Sequence, residues 1–129
     1  LATILAIEDD PSFRDLLRLH LQSAGHSVQT AADPEEGLRA VLEDPPELIL
    51  LDLDLPYLSG FEVLEALRSD EASQSIPVIV ITGKTESDTY ERCQRIGFDG
   101  FALKPLKRED LLREIAKALA AAGGKGRPA

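Results

Sequence analysis

Leu48-Ile49-Leu50-Leu51-Asp52-Leu53-Asp54-Leu55-Pro56 (LILLDLDLP) sets two carboxylates two positions apart in an otherwise apolar run. Its unbroken aliphatic start reads as a strand buried on both faces, the kind a parallel sheet covered by helices contains. Asp52 closes that strand. On the upstream side, Thr3-Ile4-Leu5-Ala6-Ile7 is another short apolar run ending in acids, and Phe13, Leu16, Leu17, Leu21 and Ala24 follow at helical spacing before Gly25. Ser27 to Ala31 reads as a more polar strand, and Asp33-Pro34 as a cap and first-turn proline of a helix running to about Leu42.

Downstream, Gly60 to Arg68 carries Phe61, Leu64 and Leu67 on one helical face, and Pro77 to Thr82 is a β-branched strand. A helix from Glu86 to Ile96 stops at Gly97, Gly100 to Leu103 forms a fifth strand, and Arg108 to Ala122 is a long amphipathic helix. Five consecutive βα units of this kind predict a single-domain, doubly wound α/β fold with a five-stranded parallel sheet and helices on both faces. The domain is expected over residues 1–122, with 123–129 a flexible tail or the start of a linker.

The chain has 129 residues, enough for one domain with a real core. Fourteen Lys and Arg against 23 Asp and Glu leave a formal charge of −9, which repels nucleic-acid phosphate and argues against direct DNA or RNA binding. A single cysteine, Cys93, forms no internal disulfide, and neither a signal peptide nor a membrane-length apolar run is present, so a cytoplasmic setting is expected, with no membrane partner. The start at Leu1 rather than Met fits a processed product or a piece of a longer protein.

The chemistry-bearing residues fall at strand carboxyl ends: Glu8 and Asp9 after the first strand, Asp52 at the third, Thr82 at the fourth and Lys104 after the fifth. In an open α/β sheet these ends share one edge, where ligands bind. Three converging carboxylates repel one another unless a cation intervenes, and an all-oxygen donor set suits Mg²⁺. Lys104 then supplies a point charge and the Thr82 hydroxyl a donor to phosphate oxygens, while Asp52 has the chemistry of an aspartyl-phosphate nucleophile. Taken singly, the acids are ordinary loop or cap residues, Thr82 a good strand former and Lys104-Pro105 a surface turn. Their joint placement on one edge carries the reading.

Four segments together resemble the receiver domain of two-component response regulators over about residues 3–120: IEDDPSFR (Ile7 to Arg14), LLDLDLPYLSGFEVL (Leu50 to Leu64), VIVITG (Val78 to Gly83) and GFALKP (Gly100 to Pro105). The intervals agree as well, with thirty residues from Asp52 to Thr82 and twenty-two from Thr82 to Lys104. The resemblance implies a flavodoxin-like sheet of order 2-1-3-4-5. It makes Asp52 the phosphoacceptor and Glu8 and Asp9 the acidic pair holding Mg²⁺, Asp9 directly and Glu8 through water. Asp54 would give its backbone carbonyl to the metal with its side chain toward solvent, and Asp10 would cap the first helix. Thr82 and Lys104 would bind the phosphoryl group, Phe101 would be the rotameric switch, Pro56 and Gly60 would shape the loop, and Lys104-Pro105 would be cis.

Three positions depart from the commonest family pattern. Gly83 stands where alanine is more frequent, which adds backbone freedom, and Phe101 lacks the hydroxyl of the frequent tyrosine, so burial alone is expected to set its inward state. Lys84 is expected to pair with Asp54 over the site and to screen the aspartyl phosphate from water. The resemblance further implies a phosphorylation-activated switch rather than a turnover enzyme. It would take its phosphoryl group from a sensor histidine kinase or phosphotransfer protein, assist its own phosphorylation and dephosphorylation, and change the face made by the fourth helix, fifth strand and fifth helix. An output domain or target protein and a phosphorylation-linked homodimer are the further partners such a switch allows.

Two alternatives remain. A haloacid-dehalogenase-type phosphatase also carries an apolar strand followed by Asp-x-Asp, but places that strand first and its acidic pair last, whereas Glu8-Asp9 here comes first. An unphosphorylated interaction module of the same fold is disfavoured by the complete set of Asp52, Thr82, Lys104 and the acidic pair. His20 and His26 are expected on the surface away from the site, Cys93 in a semi-buried position, and Ser59 as a helix cap.

Overall fold

The computed structural model describes residues 1–55, 60–84 and 87–124. Pro56, Ser59, Glu86 and the tail from 125 onward, each the subject of an expectation above, lie outside the described residues. Five strands alternate with five helices: β1 (Thr3–Ile7), α1 (Pro11–Ser23), β2 (Ser27–Ala31), α2 (Pro34–Glu43), β3 (Leu48–Asp52), α3 (Gly60–Ser69), β4 (Val78–Thr82), α4 (Ser87–Ile96), β5 (Gly100–Leu103) and α5 (Arg108–Gly124). The strands pair in parallel in the order β2-β1-β3-β4-β5, as expected. The last helix continues two residues past the expected end at Ala122, through Gly123 and Gly124.

Period-two alternation along each strand divides the core into two layers. Leu5 and Ile7 of β1, Ile49 and Leu51 of β3, and Val78 and Val80 of β4 face Val41 of α2, Val63, Leu64 and Leu67 of α3 and Cys93 of α4. Their alternates Ile4, Ala6, Leu48, Leu50, Ile79 and Ile81 face Leu17 and Leu21 of α1 and Leu111, Ile115 and Ala118 of α5. With both faces covered, every residue of β3 and β4 is buried, which explains their unbroken aliphatic character. Edge strand β2 alternates exposed and half-buried residues up to the buried Ala31 at its end.

Local chemistry fixes the helix starts. Asp10 caps α1 by accepting from Ser12 N–H at 3.0 Å, with Pro11 in the first turn. Asp33 caps α2 by accepting from Glu36 N–H at 2.8 Å, while Glu36 reaches back to Ala32 N–H. Away from the strand carboxyl ends, Arg68 of α3 ties four segments together. Its guanidinium donates to the carbonyls of Gly97, Gln74 and Ile76 and to Asp99 Oδ2 at 2.6 Å, and Asp99 in turn accepts from Val78 N–H. No helix among the described residues is long and apolar enough to cross a membrane.

Candidate functional site at the strand carboxyl ends

Strand register determines what meets at the sheet edge. Ile7 lies opposite Leu51, Asp52 opposite Ile81, and Thr82 opposite Leu103. The next residues, Glu8, Asp52, Thr82 and Lys104, therefore emerge side by side although they span most of the chain. Ladder-type hydrogen bonds continue just beyond the strands, from Leu53 N–H to the Ile81 carbonyl and from Lys104 N–H to the Thr82 carbonyl, both at 2.9 Å.

Glu8, Asp9 and Asp52 each aim a carboxylate oxygen into a space where those atoms lie within 4.8 Å of one another. Glu8 and Asp52 are 1% and 3% exposed, so neither carboxyl is solvated by bulk water. Burial, reinforced by the neighbouring Asp52 carboxylate, pushes the Glu8 carboxyl up to about 9, with the backbone N–H of Asp10 opposing. Glu8 Oε1 accepts that Asp10 N–H at 3.2 Å, while buried Oε2 has no hydrogen-bond partner. An orphaned oxygen beside two further carboxylates, with no nitrogen or sulfur ligand among them, fits a hard divalent cation. Arg14, which the sequence reading passed over, holds the loop bearing the pair: its Nη1 donates to the Glu8 carbonyl at 3.1 Å and the Asp9 carbonyl at 3.3 Å.

On the other side of Asp52 stand the donors. Lys104 Nζ is 3.0 Å from Asp52 Oδ2, and the Asp54 N–H donates to Asp52 Oδ1 at 2.8 Å. Lys104 also reaches Asp54 Oδ2 at 3.4 Å and stands 5.1 Å from the centre of the Phe13 ring. Burial works to lower the Lys104 pKa, but the hydrogen bond and charge of Asp52, with Asp54 and Glu8 behind it, raise it overall.

Two expectations about Asp54 are corrected. Its side chain does not point to solvent. It turns into the site, where Oδ1 accepts from the Thr82 hydroxyl at 3.0 Å and Oδ2 from Gly83 N–H at 2.9 Å. Nor does it pair with Lys84, which is exposed and contributes its backbone N–H to Thr82 Oγ1 at 3.1 Å. The cause lies in the strand. Leu53 and Leu55 stay buried after β3 ends, so the two-residue alternation persists and sends Asp54 to the same side as Asp52. Burial opposes ionisation of Asp54, but the donors from Gly83, Thr82 and Lys104 outweigh it and hold the carboxyl below its usual range.

Other expected positions also have definite surroundings. Phe101 is half-buried, but burial is not its only constraint: its ring meets Tyr90 edge-on at 5.1 Å and Phe98 at 5.6 Å, an aromatic cluster with no sequence-adjacent signature. Gly60 is needed for close approach, since a Cβ there would stand 2.5 Å from Leu53 Cα. Gly83 is under no such demand, because a Cβ would meet Asp54 Oδ2 at an ordinary 3.6 Å. The Lys104-Pro105 bond is cis. Cys93 is fully buried rather than semi-buried. His20 closes α1, and His26 accepts the Ala2 N–H at 3.0 Å, so neither joins the site.

A buried acid at the end of a central parallel strand, flanked by an acidic pair on one side and a lysine and threonine on the other, defines a phosphoacceptor-type signalling domain. The model of the response regulator receiver domain matches residues 4–116, and the chain belongs to that family. It is similar to the DNA-binding dual master transcriptional regulator RpaA of Synechocystis sp., with 36% identity over 116 residues covering 90% of this chain and 48% of the regulator. Among solved structures it matches a CheY-like receiver domain protein of Methanospirillum hungatei with a TM-score of 0.90 at 28% identity, over 98% of this chain and 99% of that one. Chemotaxis protein CheY4 of Vibrio cholerae matches with a TM-score of 0.86 at 30% identity, over 92% of this chain and 98% of that one. The chain spans about half the length of curated regulators such as RpaA. Receiver domains act in two-component signalling, pairing with histidine kinases and with output domains.

Proposed function

We propose that Asp52 accepts a phosphoryl group from the phosphohistidine of a sensor kinase or phosphotransfer protein, or from a small acyl phosphate. The observation that carries the reading is the position of its carboxylate, buried between the Glu8–Asp9 pair and the Lys104 ammonium at 3.0 Å. From phosphohistidine, an Asp52 oxygen forms the new P–O bond as the P–N bond breaks and the leaving imidazole keeps the electron pair; from an acyl phosphate, the bond from phosphorus to the acyl oxygen breaks and the carboxylate leaves with the pair. Lys104 and the Thr82 hydroxyl bind the transferred oxygens, so the protein contributes mainly position and countercharge.

Asp9, Asp52 and the Asp54 backbone carbonyl would hold Mg²⁺, with Glu8 acting through water. When bound, the ion neutralises charge on the transferring oxygens. Thr82 and Phe101 then carry the change to the α4-β5-α5 face, with the Tyr90 and Phe98 rings forming the surface against which Phe101 repacks. The free thiol of Cys93 suits a cytoplasmic setting. Downstream partners are an output domain or separate target and, through the same face, a second phosphorylated copy.

Incubation with acetyl phosphate and Mg²⁺ tests the reading. Labelling that disappears with chelator and in Asp52→Asn is expected; undiminished labelling of Asp52→Asn would reject it.

A further inference from the structure

The donors that a phosphoryl group on Asp52 would need are already occupied, by the acid two residues beyond it. Thr82 Oγ1 at 3.0 Å, Gly83 N at 2.9 Å and Lys104 Nζ at 3.4 Å all converge on the carboxylate of Asp54. Three donors around one carboxylate make a site satisfied by an anion, and the bonds are of the charge-assisted kind. The backbone of Asp54 is anchored separately by its N–H to Asp52 Oδ1. Its side chain can leave by rotation about χ1 while that backbone bond stays in place.

We propose that the Asp54 carboxylate is an internal ligand of the phosphoryl subsite, one that the incoming group must displace and that holds Thr82 and Gly83 turned toward the site beforehand. The inference rests on the phosphoacceptor reading for the identity of the displacing group. Occupancy of the donors by Asp54 stands independently of it. Two consequences follow. The subsite accepts an external anion only in the fraction of molecules whose Asp54 has rotated out, and apparent affinity falls by that fraction. The Thr82–Gly83 segment is also partly ordered before phosphorylation, so the change at the aromatic cluster on phosphorylation is smaller than if these donors began unpartnered.

The test compares wild type with Asp54→Ala and Asp54→Asn, which leave the backbone carbonyl in place. In the metal-free, unphosphorylated protein, the Gly83 amide proton should shift and its hydrogen exchange should accelerate in Asp54→Ala, since this N–H loses a carboxylate acceptor. With Mg²⁺ present, Asp54→Ala should bind beryllofluoride and take up label from acetyl phosphate about tenfold better than wild type, which corresponds to about 1.4 kcal/mol. That gain should persist at 1 M salt, where the screening length is about 3 Å. A gain that vanishes there would reduce Asp54 to a general electrostatic effect and overturn the proposal. An unmoved Gly83 amide would also overturn it, as would beryllofluoride binding no tighter than wild type. If instead wild type takes up no label at Asp52 while the Gly83 amide responds as described, the phosphoacceptor reading fails and the internal ligand stands.

Discussion

Lys104→Met removes the ammonium but keeps most of the stem. In the native site Nζ faces Asp52 Oδ2 at 3.0 Å and Asp54 Oδ2 at 3.4 Å, with the Lys104 side chain 27% exposed and Asp52 only 3% exposed. At an effective dielectric constant of about 20, the gross attraction to Asp52 alone is about 5 kcal/mol. Desolvation of the ammonium and solvent screening offset much of it. The variant should therefore lose about 2 kcal/mol, because Asp52 and Asp54 remain in place without their cation. Chelator-treated protein should be unfolded in urea and followed by far-UV circular dichroism, since the chain has no tryptophan. Adding Mg²⁺ to a hundredfold excess over its dissociation constant should restore about 2.7 kcal/mol. The dissociation constant itself should be lower than in wild type, as more negative charge awaits the ion. If Lys104→Met in chelator is as stable as wild type, the ammonium does not offset the carboxylates and the electrostatic reasoning is wrong.

Arg68→Ala should cost about 2–4 kcal/mol in the same assay, because three carbonyls and Asp99 lose a largely buried guanidinium. The cost should be strongly non-additive with Asp99→Asn. Gly60→Ala should destabilise by more than about 1 kcal/mol, since the new methyl would meet Leu53 backbone, whereas Gly83→Ala should be nearly neutral; equal effects would contradict the contact geometry. His26 accepts the Ala2 N–H, and burial lowers its pKa below the unfolded value of 6.5. Its contribution is therefore present above about pH 6.5 and lost as pH falls through the folded value. His26→Gln should flatten that part of the stability profile, measured by Tm between pH 5 and 7.

The unbroken aliphatic runs, alternating with helical-period segments that stop at Gly25 and Gly97, made the α/β class legible and brought Glu8, Asp52, Thr82 and Lys104 to one edge. The strand order came from family resemblance rather than from those runs. The orientation of Asp54 was in principle legible as well, since Leu53 and Leu55 extend the alternation of β3 beyond its last ladder residue. The expectation of a solvent-facing side chain follows the family resemblance instead of that alternation. Arg68 and Asp99 are 31 residues apart, and Tyr90, Phe98 and Phe101 sit on a helix, a loop and a strand. Such contacts are decided by how α3 and α4 pack on the sheet, which no local pattern encodes.

Trapping the phosphorylated protein with borohydride tests the central claim most directly, because hydride reduces an aspartyl phosphate to homoserine at the acceptor position. After treatment with acetyl phosphate and Mg²⁺, peptide sequencing by mass spectrometry should find homoserine at position 52 alone, and none when Mg²⁺ is chelated. Homoserine at Asp54, or label carried by His20 or His26 with Asp52 intact, would contradict it.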